Sequence, residues 1–153
     1  MKALIGLSLL FGALAALPLA SADERPPVDG TRLLKVLEIL DDKGYGPVTE
    51  VSFDDGVWEA EAYKGDAAFE VSVDPGNGEI VSEHRDDGDP KPPTDTMPLA
   101  KVIATIEKAG YADLNDISFE RKSWEVEATR ENQKRELRVD SKDGHVISDR
   151  VDD

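Results

Sequence analysis

The chain has 153 residues, with 33 acidic side chains against 18 basic ones, a net charge of −15 and no cysteine. That balance excludes nucleic acid as an expected ligand, because phosphate binding needs clustered Lys and Arg, and it disfavours anionic membrane surfaces. The lack of cysteine excludes disulfides, thiol catalysis and a lipid anchor on an N-terminal cysteine.

Lys2 precedes an apolar run from Ala3 to Ala16, and Leu17-Pro18-Leu19 leads into Ala20-Ser21-Ala22. This pattern predicts a secretory signal peptide over residues 1–22, cleaved after Ala22. The run is shorter than the ~20 apolar residues a spanning helix needs. A periplasmic or extracellular protein without a membrane anchor is therefore expected. Residues 23–30 (DERPPVDG) are polar, carry two prolines and read as an extended spacer.

From Leu33 the chain occurs twice. A shift of 66 residues lays Leu33 to Asp87 on Leu99 to Asp153 without a gap, with 18 identities in 55 positions, among them Gly44/Gly110, Tyr45/Tyr111 and Trp58/Trp124. Glycines, helix residues and tryptophans all hold register, so the chain carries a duplicated structural unit. Repeat one spans residues 31–87, a Pro- and Asp-rich linker residues 88–95, and repeat two residues 96–153.

Each unit opens with an amphipathic period. Leu33, Val36, Leu37 and Leu40 fall on one stripe, as do Leu99, Val102, Ile103 and Ile106. Gly44 and Gly110 suit left-handed C-terminal caps. Asp95 or Thr96 is expected to cap the second helix, with Pro98 in its first turn. The period then drops to two. Val51 and Phe53 lead to the hairpin signal Asp55-Gly56, Trp58, Ala60 and Ala62 follow, and a turn at Lys64-Gly65-Asp66 precedes Phe69, Val71 and Val73. Asp74-Pro75-Gly76-Asn77-Gly78 is a further turn before Ile80-Val81. Repeat two runs in parallel through Ile117, Phe119, Trp124, Val126, Leu137 and Val139. The expected fold class is α+β, with two tandem repeats of one helix on a three- to four-stranded antiparallel meander. Units of about 55 residues bury only a marginal core alone, so the two should pack together. The linker is expected to set their spacing and do no chemistry.

The segments "VSFDDGVWEAEA" and "FEVSVDPGNGEIV", with their partners "ISFERKSWEVEA" and "LRVDSKDGHVI", resemble the PepSY family. The most telling element is an Asp-Pro-x-x-Gly-Glu turn, matched at Asp74, Pro75, Gly78 and Glu79. Repeat two departs from it with Ser141 and His145, both turn positions. The resemblance implies helix-plus-sheet modules of exported bacterial proteins and of metallopeptidase propeptides. It also implies a non-catalytic role in binding, or inhibiting, envelope peptidases, and it carries no catalytic motif.

The outward face of the sheet is the candidate site. In repeat one it is expected to present Glu50, Asp54, Glu59, Glu61, Glu70 and Asp74, and in repeat two Asp116, Glu120, Glu125, Glu127, Glu136 and Asp140, relieved there by Arg138. Residues 31–90 hold 16 acidic and 5 basic side chains, residues 95–153 hold 14 and 10. Like charges on neighbouring strands repel, so repeat one's face should receive a basic partner surface, such as that of a peptidase, or divalent cations. A solvated face that keeps the protein soluble is the plainer alternative. The two Asp-rich turns lack the ligand pattern of a calcium loop, which leaves open no more than weak calcium binding. No cofactor and no dedicated metal site are expected. Trp58 and Trp124 share the face of small residues and read as core, with a paired binding anchor as the alternative. His84 and His145 are not equivalent under the repeat. No His-Glu-x-x-His pattern, nucleophile elbow or phosphate loop is present, so no enzyme is expected.

Overall fold

The apolar stripes form the two helices, α1 (Leu33–Asp42) and α2 (Leu99–Lys108), and bury Leu33, Val36, Leu37 and Leu40 in one and Leu99, Val102, Ile103 and Ile106 in the other. The structure, a computed structural model, describes residues 25–27 and 30–152; the signal segment and its cleavage point lie outside them. No helix among the described residues is long and apolar enough to cross a membrane.

Both helices end as their glycines dictate. Gly44 and Gly110 adopt φ of 82° and 92°. Gly44 N–H donates to Asp41 O at 2.8 Å and Tyr45 N–H to Leu40 O at 2.9 Å, the paired bonds of a Schellman motif. Tyr45 then donates its hydroxyl to Glu83, and the equivalent Tyr111 donates to Asp149 at 2.7 Å. The Gly-Tyr pair thus stops each helix and ties it to the last strand of its repeat. The start of α2 differs from expectation. Pro98 occupies the cap position with no side-chain cap bond, because the Asp95 carboxylate is drawn to Lys142 Nζ at 2.8 Å.

After α1 come β1 (Val48–Asp54), β2 (Val57–Lys64), β3 (Ala67–Val73) and β4 (Ile80–Asp86); after α2 come β5 (Asp116–Glu120), β6 (Ser123–Arg130), β7 (Gln133–Asp140) and β8 (Val146–Val151). Each repeat is therefore a four-stranded meander, but the two do not stand as separate sheets. β1 pairs antiparallel with β5, Val51 opposite Ile117, and the result is one eight-stranded sheet in the order β4-β3-β2-β1-β5-β6-β7-β8. Val51 and Ile117 are both fully buried at this seam, and a single apolar cluster runs beneath both helices. The α+β class holds; the extent of sheet exceeds what helix-on-meander repeats imply. The two edge strands slip register at Val81 and Ile147, equivalent positions whose bulges discourage further pairing.

The tryptophans are core residues, each about 1 % exposed. Trp58 meets Phe53 edge-on at 5.2 Å, and Trp124 meets Phe119 likewise at 5.1 Å.

The β1–β2 turn uses Asp55-Gly56, both with positive φ, whereas the equivalent β5–β6 turn forces Arg121 and Lys122 to φ of 48° and 70°. Left-handed backbone costs a non-glycine residue roughly 1–2 kcal/mol. Replacing Arg121-Lys122 with Asp-Gly should therefore raise unfolding stability by about 1 kcal/mol, read as a shift of the urea midpoint; an unchanged midpoint would show that the turn carries no strain.

Candidate functional site: a carboxylate face

The alternation of β1, β2 and β3 sends Val51, Ala60 and Val71 inward and Glu50, Glu61 and Glu70 outward. These three glutamates lie directly opposite one another across three strands, Glu50 against Glu61 and Glu61 against Glu70. Glu70 is in turn opposite His84, and Glu50 opposite Ser118. Glu59 stands on the neighbouring row between Ser52 and Ser72. Asp54 ends β1 at the hairpin, where its Oδ1 accepts the Asp55 amide at 3.0 Å, and its charge is felt at Glu59. Asp74 is committed elsewhere. Its Oδ1 accepts the amides of Gly76 and Asn77 at 2.7 and 3.1 Å, and so closes the turn. Asp140 does the same in repeat two.

Repeat two dilutes the pattern. Glu125 is opposite Arg138, and Arg150 donates to Glu136 at 2.7 Å. The same scaffold thus presents a nearly pure carboxylate row on one side of the seam and mixed charge on the other.

The linker contributes what the sequence did not reveal. Gly88, with φ of 66°, lies so close to the sheet that a Cβ there would sit 2.2 Å from the Ala68 side chain. The Tyr63 hydroxyl donates to Asp89 O at 2.5 Å, and Lys91 Nζ donates to Gly65 O at 2.8 Å while standing 4.7 Å over the Tyr63 ring. The linker is not a free spacer; it crosses the outer face. It brings the Asp89 carboxylate to Glu50 and Glu61, with one oxygen of each within 4.8 Å of the others. A second group of this kind, Asp140, Asp143 and His145, sits at the β7–β8 turn, where His145 Nδ1 is 2.6 Å from Asp143.

Partial burial raises the pKa of Glu50, Glu59, Glu61 and Asp116. Carboxylate neighbours raise the three glutamates further: Glu61 and Asp116 act on Glu50, Glu70 on Glu59, and Asp86 and Asp89 on Glu61. The folded state holds protons here that the unfolded chain has released. The stability they contribute is complete below the ordinary values of 4.5 and 3.8 and is lost as pH rises through the raised folded values. His145, raised by its hydrogen bond to Asp143, acts in the same sense above its ordinary 6.5. Asp149, held low by Arg135, acts in the opposite sense, but only as pH falls below 3.8. The melting temperature should therefore be higher at pH 5 than at pH 7; a lower value at pH 5 would contradict this electrostatic picture.

Profile comparison matches residues 2–84 and 86–150 to a family described as the peptidase propeptide and YPEB domain, PepSY. The chain belongs to the PepSY family. The two matched segments are consistent with two tandem copies, the first reaching back over the N-terminal segment, and the shared sheet shows how this PepSY chain joins its copies. No curated protein matches the sequence. Among solved structures, a Clostridium difficile 630 protein described as a lipoprotein aligns over 86 % of this chain and 97 % of its own, at 12 % identity and a TM-score of 0.48. A BLIP-like protein of Bacteroides fragilis aligns over 79 % and 86 % at 11 % identity and a TM-score of 0.31. A DUF2874 family protein of Bacteroides uniformis aligns over 76 % and 86 % at 18 % identity and 0.29.

Proposed function

We propose that this PepSY chain is an exported, non-catalytic protein-binding module, a peptidase inhibitor or modulator, that meets a basic partner surface through the outer carboxylate face of repeat one. The observation that carries this reading is the row Glu50, Glu61 and Glu70 on adjacent strands, with no Lys or Arg among the strand residues opposite it and only His84 facing Glu70. A rigid sheet spends stability to hold these charges together, and a partner's Lys and Arg would relieve it. The apolar N-terminal run with its small-residue cleavage site supports export, and the family supports a propeptide-like role. The test is to immobilise the mature protein, expose it to the host's envelope and secreted fractions, and assay captured peptidases for residual activity. A specific peptidase inhibited in proportion to added protein supports the reading. Capture of generic basic proteins that wash off in moderate salt counts against it.

A second reading is favoured by Asp89. Its approach to Glu50 and Glu61 makes the same face a candidate for divalent cations. Calorimetry with calcium separates the two: binding tighter than about 1 mM, removed by Asp89→Asn, favours the ion.

A further inference from the structure

The linker lies on the carboxylate row through contacts that oppose one another. Its main chain is gripped. Gly88 rests on Ala68 with no room for a Cβ, the Tyr63 hydroxyl donates to Asp89 O at 2.5 Å, and the Asp89 amide donates to the Glu61 carboxylate. Two residues on, Lys91 Nζ donates to Gly65 O at 2.8 Å, pairs with Asp66 at 3.1 Å and stands over the Tyr63 ring. Each of these holds is made by β2, by β3 or by the turn between them.

The Asp89 side chain is repelled. Its carboxylate lies with those of Glu50 and Glu61, one oxygen of each within 4.8 Å of the others. The charges that act on this trio from the neighbouring strands are acidic as well: Glu70 on β3, Asp86 on β4, and Asp116 and Glu120 on β5. Asp87 precedes it in the linker, His84 is turned to Glu70, and Lys91 is engaged with Asp66. Asp87, Asp89 and Pro90 are exposed. A segment held by so few apolar contacts is one that opens locally at low free-energy cost.

The balance depends on pH. Burial, and then neighbouring carboxylates with Asp89 among them, raise the pKa of Glu50 and Glu61. The Asp89 amide favours ionised Glu61 and works against this, but it is the weaker of the two effects Asp89 has there. A proton held among the three groups therefore favours the seated linker, and its loss as pH rises favours the lifted one.

We propose that residues 87–91 form a pH-dependent strap, seated across Glu50 and Glu61 in mildly acid solution and lifting as Glu50, Glu61 and Asp89 all ionise toward neutral pH. Lifting uncovers the middle of the row. Its use in admitting a basic partner rests on the reading of that row as the partner contact; the motion itself does not.

The chain has no cysteine, so Ala68→Cys in the mature protein places a single thiol beneath Gly88, where dithiodipyridine reaches it only when the strap lifts. The same thiol combined with Gly88→Ala, whose Cβ would lie 2.2 Å from the residue-68 side chain and so holds the strap off, gives the uncovered rate at each pH. The ratio of the two rates is the lifted fraction. It should be roughly fivefold larger at pH 7 than at pH 5, the size of two like-charge pairs between neighbouring strands. Asp89→Asn should reduce that difference to less than about twofold, whereas Tyr63→Phe should raise the lifted fraction at both pH values and keep the difference. In the cysteine-free chain the Ala68 methyl NMR signal should move toward its Gly88→Ala position between pH 5 and pH 7, which tests the motion without the added thiol. An equal lifted fraction with a fixed methyl signal, or a pH dependence that survives Asp89→Asn, would overturn the inference. Acetylated, amidated tetralysine separates the motion from its use: a strap that lifts while the unaltered chain binds no tetralysine sustains the inference and counts against the row as the partner contact.

Discussion

Trp58→Ala is expected to lower unfolding stability by about 3–5 kcal/mol. The ring is almost wholly buried under α1, packs edge-on against Phe53 and donates to Thr31 O. Truncation therefore opens a cavity, removes an aromatic pair and leaves a half-buried carbonyl without its donor. Trp124→Ala should cost less, by about 1 kcal/mol, because its indole nitrogen has no bond to lose among the described residues. Because one sheet and one apolar cluster run through both repeats, either change should move a single cooperative transition rather than melt one repeat alone. Urea unfolding followed by far-ultraviolet circular dichroism reads this directly. A loss below about 1 kcal/mol at Trp58 would place the ring at the surface and revive the alternative of a paired binding anchor.

Glu61→Gln is expected to act in two directions. Glu61 is the middle member of the row, opposed by Glu50 on one strand and Glu70 on the other, with Asp89 close by. Removing its charge ends two like-charge pairs and should raise stability at pH 7 by several tenths to about 1 kcal/mol. The same change removes the charge most completely surrounded by others of its sign, and so the one a basic partner would relieve most. Partner affinity should fall roughly tenfold. A solvated face with no partner predicts the first effect alone. That joint signature separates a functional arrangement from a merely soluble one, because strain held at a binding site is recovered only when the partner arrives.

Much of the fold was legible because its signals are local. The stripe from Leu33 to Leu40, the left-handed glycines Gly44 and Gly110, and the Asp55-Gly56 hairpin each act within a few residues, and each forms as its pattern dictates. The burial of Trp58 and Trp124 followed from the small and apolar residues that share their face. What escaped was long-range. Nothing in the composition of β1 or β5 marks them as partners, since Val51 and Ile117 read as ordinary core residues whether or not the two sheets fuse. Asp95 has the chemistry of a helix cap, but Lys142, distant in sequence, offers it a charged partner instead.

The candidate site divides in the same way. Period-two alternation placed Glu50, Glu59, Glu61 and Glu70 on one face, and the observed register sets three of them in a row. Asp74 was grouped with them on parity alone, whereas its carboxylate closes its own turn. Asp89 was missed because the linker has no hydrophobic period. The signal that could have found it is Gly88, whose missing Cβ allows the chain to lie on Ala68.

The central claim is that repeat one's carboxylate row is the partner contact, and the direct measurement is the affinity of the captured partner for the unaltered protein and for the Glu50→Gln, Glu61→Gln, Glu70→Gln triple variant at matched ionic strength. The account predicts a variant that melts at a higher temperature at pH 7 and binds at least tenfold more weakly, roughly 1.4 kcal/mol, with most of the salt dependence gone. Equal affinity in the two proteins would contradict it and remove this face as the contact.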